Sequence, residues 1–341
     1  MYKIGICGHF GGNKISLDGQ TIKTKIITQE LKKVYAVKTL DTFNSRKRII
    51  NILLGLIFLL IQCENIIILP AHNGLKTIAP FLVFFNKIFK RKLHYIVIGG
   101  WLSKYLEDKE SLKECLKKFD YIYVETSTMK KALENKGFKN IIIMPNCKDL
   151  KILKEEELVY NTNKPYKLCT FSRVVKEKGI EDAIEAVKNI NKNSKEIIYT
   201  LDIYGQIDIN YKERFEKLSK EFPEYIKYKG LVPFDKSADV LKEYYLLLFP
   251  TYYQGEGLAG TLIDAMSAGV PIVASDWKYN KEVINSKNGF IFETKNMKKF
   301  TDILYHLSLD NSLVNKLKSN CLKEAVKFDS KQVIKNNLRI N

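Results

Sequence analysis

The chain has 341 residues, 45% of them hydrophobic, which gives length for two cores and excludes a disordered protein. Its formal net charge of +18 is uneven, because residues 1–150 hold 25 Lys/Arg against 12 Asp/Glu. Six scattered cysteines form no CxxC pair and no His/Cys cluster, which argues against a structural zinc site and for reduced thiols in the cytoplasm.

The opening MYKIGICG reads as a buried strand and not as a signal peptide. Short apolar runs predict strands at Lys3–Cys7, Ile66–Leu69, His94–Ile98, Tyr121–Val124 and Ile141–Met144. Helices are expected over Gly19–Lys33, Lys47–Ile61, Leu75–Lys90, Lys113–Lys118 and Ser127–Lys136. Such alternation implies an α/β fold, a parallel sheet with helices on both faces, whose ligands bind at the carboxyl ends of the strands.

The longest apolar run, Ile49–Ile61, is interrupted by Asn51 and Gly55. As a helix it covers about 20 Å, short of the roughly 30 Å of a bilayer core, so a buried or interfacial helix is expected. The basic clusters Arg46–Lys47–Arg48 and Lys87–Lys92 flank apolar helical stretches, a pattern that suits an anionic inner-membrane surface. A solvated basic face has the same composition. Nucleic acid is a rival partner, but no helix-turn-helix, zinc finger or aromatic RNA-binding sheet accompanies the charge.

The loop Gly8-His9-Phe10-Gly11-Gly12 matches neither GxGxxG nor the Walker pattern. His9 is its nearest ionisable group and a candidate phosphate or acceptor contact. Gly99-Gly100-Trp101 follows the third predicted strand; glycines there admit another molecule, and an indole can stack on a sugar face. A core tryptophan fits that position too. The polar stretch Lys148–Lys167 reads as a linker.

In the second half, strands are expected at Tyr166–Phe171 and at Tyr199–Tyr204 (ending in Gly205). Arg173 and Lys178 lie between the first of these and an amphipathic helix, Gly179–Asn189. Two fixed cations beside a helix start neutralise a diphosphate better than either alone. The stretch Leu247–Trp277 then combines the end of a buried strand (Leu246–Phe249), a loop with Gly255, Gly257 and Gly260, a helix over Thr261–Ala268 stopped by Gly269 and Pro271, and a second strand, Ile272–Ala274. The helix start at Gly260-Thr261 offers free N–H groups and a positive dipole end to a phosphate. Glu256 and Asp264 make sense as acceptors for hydroxyl groups further along the same ligand. A plain crossover with solvated acids has the same pattern.

That stretch resembles the donor motif of the family 4 nucleotide-sugar glycosyltransferases, retaining enzymes of the GT-B fold. The family pattern of Glu, seven residues, Glu and a small-Gly-x-Pro run is met by Glu256, Asp264, Ala268, Gly269 and Pro271, with Asp replacing the second Glu. Gly19-Gln20-Thr21, Pro145-Asn146, Glu282 and Gly289-Phe290-Ile291 are also similar to the family, most closely across 165–295. Gly99-Gly100-Trp101 departs from the usual His-Asp loop and resembles the capsular and surface-polysaccharide branch.

The resemblance implies two Rossmann-like domains facing across a cleft: an acceptor-binding domain over 1–160, a nucleotide-sugar-binding domain over 165–325, and a C-terminal helix, 326–341, returning to the first. It implies diphosphate contacts from Arg173, Lys178, Gly11, Gly12, Gly260 and Thr261. Glu256 is the candidate catalytic residue, holding the donor sugar, with Asp264 on the ribose. Gly205 and Leu231 are assigned to the nucleobase, and His9, Gly100 and Trp101 to the acceptor side. The implied reaction is retaining transfer from a nucleotide sugar, UDP-sugar favoured, to a glycan on a lipid carrier. No cofactor is expected, and no metal, since no Asp-x-Asp pair occurs. An epimerase of the same fold, a non-catalytic sugar-nucleotide binder and a nucleic-acid-binding protein are the rivals.

Overall fold

A computed structural model describes residues 2–12, 19–233 and 236–340, with backbone alone for 45–48, so the side chains of Arg46, Lys47 and Arg48 lie outside the described set. The chain divides into two units, Met1–Asp149 with Asp329–Asn341, and Leu150–Phe328. Each is a Rossmann-like α/β layer built on a parallel sheet of six strands.

The first unit contains β1 (Tyr2–Gly8), β2 (Val37–Asp41), β3 (Cys63–Ile68), β4 (Lys92–Ile96), β5 (Tyr121–Val124) and β6 (Ile141–Ile143), in the order β2-β1-β3-β4-β5-β6. Its central strands are apolar on both faces because helices cover both, and Ile66, Ile67 and Ile68 are wholly buried. β2 was not expected. It is an edge strand, half exposed along its length, and its sequence VKTLD has no continuous apolar run. The helix Ser330–Asn337 belongs to this unit and buries Val333 and Ile334 against Ile4, Ile27 and Leu31.

A polar chain crosses this sheet. The Arg339 backbone N–H donates to Tyr123 Oη, 3.1 Å away, and Tyr123 lies 3.1 Å from His94 Nδ1. His94 Nε2 lies 3.1 Å from Asn65 Oδ1, while the Asn65 amide donates to the Lys3 carbonyl. With His94 neutral, Nε2 donates to Asn65 Oδ1 and Nδ1 accepts the Tyr123 hydroxyl. Burial, with help from Lys92, pushes the imidazole down to about 4. The unfolded chain takes up this proton at 6.5, so stability is lost as pH falls through the window between 6.5 and about 4. We expect an acid loss of about 3 kcal/mol from this group. Urea unfolding of His94→Gln should show that part of the slope gone; an unchanged slope rejects the assignment.

The second unit contains β7 (Tyr166–Phe171), β8 (Tyr199–Tyr204), β9 (Ile226–Gly230), β10 (Leu246–Phe249), β11 (Ile272–Ser275) and β12 (Gly289–Phe292), in the order β12-β11-β10-β7-β8-β9. β9 was not expected as a strand, because Ile226 alone anchors it while Lys227, Tyr228 and Lys229 are exposed. The helix Ile180–Lys192 buries Ile180, Ala183, Ile184, Val187 and Ile190, one face at helical spacing. In the polar stretch 148–167, Leu153 and Leu158 are buried in this unit, and the Leu153 N–H donates to the Ser267 carbonyl.

Candidate functional site

Strand order places the site. In the second unit β7, β8 and β9 run outward on one side, and β10, β11 and β12 on the other, so the order reverses between β7 and β10. At such a switch point the loops leaving neighbouring strands diverge and open a crevice at their carboxyl ends. The two loops concerned are 172–179, after β7, and 250–259, after β10. They carry Arg173, Lys178 and Glu256.

Gly179 brings the loops together. It caps the turn Lys176–Lys178 at φ 72°, and a Cβ there would stand 2.3 Å from the Pro250 carbonyl oxygen. Only glycine fits both the angle and the approach. The Tyr252 N–H donates to the Glu177 carbonyl at 2.7 Å and so fastens one loop to the other, while within the second loop Thr251 Oγ1 donates to Glu256 Oε2 at 3.0 Å.

Lys178 Nζ and Glu256 Oε2 are 2.6 Å apart, and the two side chains are only 11% and 8% exposed. The ammonium also lies 5.3 Å from the centroids of both the Phe249 and Tyr253 rings. A cation so enclosed needs this company, since removing a charge from water is costly unless it is paired. Arg173 sits higher and more open: its guanidinium lies 5.2 Å from the Tyr253 ring centroid and 3.8 Å from Asp208. Both cations that the sequence placed on one diphosphate thus lie against the Tyr253 ring.

The helix Gly260–Ser267 starts four residues beyond Glu256. Its N-cap is Ala259, which has no side-chain oxygen for the first amides, and its first turn has no acid. Thr261 Oγ1 is closed off from water and has no hydrogen-bond partner among the described residues. Asp264 is buried at 7% exposure. Of the two residues assigned to the nucleobase, Gly205 donates its N–H to the Gly230 carbonyl at 2.9 Å, and Leu231, next in the chain after Gly230, is exposed.

Sequence reasoning missed three braces of the Glu256 loop. Thr251 bonds the carboxylate itself. Trp277 Nε1 donates to the Tyr253 carbonyl at 2.8 Å, and the Lys278 ammonium donates to the Gln254 carbonyl. The last two come from the exit of β11, far along the chain, and nothing local in the sequence signals them.

The remaining candidates lie in the first unit, where His9, Gly11 and Gly12 leave β1 beside another reversal of strand order, between β1 and β3. A cavity of about 500 Å³ there is lined by His9, Gln20, Thr42, Ile52, Pro70 and His72, among others. His9 Nδ1 lies 2.8 Å from Thr21 Oγ1. The Phe10 and Gly12 N–H groups both donate to the Asp41 carboxylate, so in this structure the Gly12 amide is engaged and not open to a phosphate. Gly11 neighbours it at φ 84°. Gly100 and Trp101 follow β4; the indole N–H donates to the Ile98 carbonyl, and the ring lies 3.9 Å from that of His72. Burial, with Lys109 nearby, holds the His72 imidazole below its usual range. His72 and Asp41 went unnoticed because one looks like a helix start and the other ends an unexpected strand.

Among the described residues no group of three or more His, Cys, Asp or Glu side chains is placed to hold a metal ion. No described helix is long and apolar enough to cross a membrane.

Two parallel Rossmann-like sheets, one with a cation–carboxylate pair at its switch point, define a GT-B type of α/β protein. The family profile of glycosyl transferases group 1 matches residues 154–324, half of the chain, and the chain belongs to that family. An uncharacterized glycosyltransferase of Methanocaldococcus jannaschii is 25% identical over 305 residues, covering 84% of this chain and 68% of its own. The GtfA subunit of the UDP-N-acetylglucosamine–peptide N-acetylglucosaminyltransferase of Streptococcus gordonii is 24% identical over 246 residues, covering 68% of this chain and 46% of its own. This chain therefore spans about half the length of that second relative. Among solved structures, Anabaena HepE in complex with UDP superposes with a TM-score of 0.73 at 14% identity, covering 98% of this chain and 97% of that one.

Proposed function

We propose that this glycosyltransferase is a retaining, metal-independent enzyme of the family 4 type that moves a sugar from a UDP-sugar to a glycan acceptor. The acceptor sits on a lipid carrier at the inner face of the membrane, in the synthesis of a capsular or other surface polysaccharide. The observation that carries this reading is the enclosed Lys178–Glu256 pair at the β7/β10 switch point, with Arg173 one ring away. The uridine nucleotide is supported by the names of the S. gordonii relative and the Anabaena structure.

Arg173, Lys178 and the amides at Gly260-Thr261 take up the charge that grows on the departing nucleoside diphosphate. Glu256 accepts hydrogen bonds from the donor sugar's hydroxyls and fixes its orientation; Asp264 serves the ribose, and Gly205 with Leu231 the base. The bond from the anomeric carbon to the phosphate oxygen breaks as the bond to the acceptor oxygen forms on the same face. The acceptor's proton passes to the leaving phosphate. His9, Gly100 and Trp101 are assigned to the acceptor side.

A thermal-shift series with UDP-, GDP- and dTDP-sugars tests the donor. At a hundredfold excess over Kd a bound donor contributes about 2.7 kcal/mol, a rise in Tm of about 4 °C for a chain of this length. UDP-sugars are expected to give it, and Arg173→Ala to lose most of it. No shift with any nucleotide sugar, together with no transfer, rejects the reading.

A further inference from the structure

Two helices of the first unit, Ser45–Gln62 and His72–Phe89, pack side by side. On the first, Ile50, Leu54, Phe58 and Ile61 are exposed, Ile50 to 71%. Their spacing puts them on one stripe of the helix. On the second, Phe84 and Ile88 are exposed one turn apart, and Phe84 and Phe81 both pack against the Phe85 ring. Large side chains grouped this way on a surface mark an interaction site, whereas single exposed ones do not.

One end of this face, at the carboxyl terminus of the second helix, is cationic. Lys87 lies over the Phe84 ring, and Lys90, Arg91 and Lys92 follow directly. Arg91 Nε donates to the Leu60 carbonyl and so fastens the end of the first helix to the start of β4. Between Thr42 and Tyr105 the sequence has one acid, Glu64, and it is bonded to Lys3 at 2.7 Å.

Apolar side chains at the centre and cations at one end fit one kind of partner. A nucleic acid needs its cations where the apolar stripe lies. A second copy of this chain would bring cations against cations. An anionic bilayer accepts both, the apolar side chains entering the acyl boundary and the lysines meeting lipid phosphates. We propose that this face docks the protein in the plane of an anionic lipid bilayer. The cavity beside His9 and His72 is lined by residues from the amino-terminal ends of these two helices, so docking brings it beside the headgroups. The docking stands on these residues alone; its use in reaching a lipid-linked acceptor rests on the function proposed above.

Flotation of the full chain with vesicles of phosphatidylcholine, with and without phosphatidylglycerol, tests it. Binding is expected to require phosphatidylglycerol and to weaken with salt. Combining Leu54→Ser, Phe58→Ser and Ile88→Ser, all at exposed positions, should weaken it at least about tenfold. Lys87→Gln with Lys90→Gln should do so by about fivefold per cation. Wild-type protein that ignores both vesicles, or serine variants that bind as wild type does, overturns the proposal. So does a wild-type dimer, without lipid binding, that the serine variants turn into a monomer, since a second copy is then the occupant. Vesicle binding that responds to the variants, in a protein that transfers no sugar, upholds the docking and rejects the enzymatic reading instead.

Discussion

Glu256→Gln should tighten the binding of UDP while sugar transfer collapses. The Lys178 ammonium is held by the Glu256 carboxylate at 2.6 Å, and both are nearly closed off from water. A diphosphate reaching Lys178 must compete with that carboxylate and also approach its negative charge. Glutamine keeps the shape and can still accept from Thr251, but it removes the charge. A hydrogen bond between charged groups contributes about 1.5 to 3 kcal/mol, so UDP affinity is expected to rise on the order of tenfold or more. Transfer is expected to fall by about a hundredfold to a thousandfold, the usual loss when one preorganised polar group leaves a reacting centre. Lys178→Met is the converse: it leaves a buried carboxylate facing the diphosphate, and both affinity and turnover should drop. Calorimetry with UDP and a transfer assay measure the two quantities separately. Should Glu256→Gln weaken UDP binding in step with turnover, Lys178 is not the diphosphate cation and the role given to the pair is wrong.

The same pair shows what a linear sequence conveys and what it withholds. Strands β10 and β11 were legible because each is buried along its whole length and reads as a compact apolar run, whereas β7 and β8 showed through the apolar residues that surround Lys167 and alternate with Thr200 and Asp202. β2 was not, since an edge strand buries little and has no such run. Arg173, Lys178 and Glu256 could be picked out one by one from residue type and from their positions after strands. Their contact could not, because it depends on β7 lying beside β10, a matter of sheet order that chain order does not contain. Thr251 and Trp277 were invisible for that reason: a threonine hydroxyl and an indole N–H become informative only once the loop they brace is known. The Asp41 carboxylate, which takes the amides of Phe10 and Gly12, was hidden behind the unexpected strand it terminates. Local chemistry was therefore readable, and pairings between distant segments were not.

Gly205→Ala is expected to be the most damaging single methyl in the second unit. Gly205 ends β8 at φ 134°, and a Cβ there would fall 1.8 Å from the Ser172 carbonyl oxygen and 3.2 Å from the Arg173 nitrogen. The neighbour is backbone and cannot swing aside as a side chain can. Relief requires moving the β7 exit loop, the segment that aims Arg173 over Tyr253, and breaking the Gly205–Gly230 hydrogen bond that holds β8 to β9. Gly230→Ala separates angle from space: Gly230 has φ 78° with nothing within 4 Å of its Cβ position. It should cost only the left-handed penalty, about 1 to 2 kcal/mol. Gly205→Ala should cost more than about 4 kcal/mol, the range reserved for enforced backbone clashes and strain. Urea midpoints at unchanged slope compare the two. In whatever fraction of Gly205→Ala folds, UDP affinity should fall as well, because the displaced loop carries Arg173; equal midpoints for the two variants would mean that the Ser172 segment yields freely and does not fix the arginine.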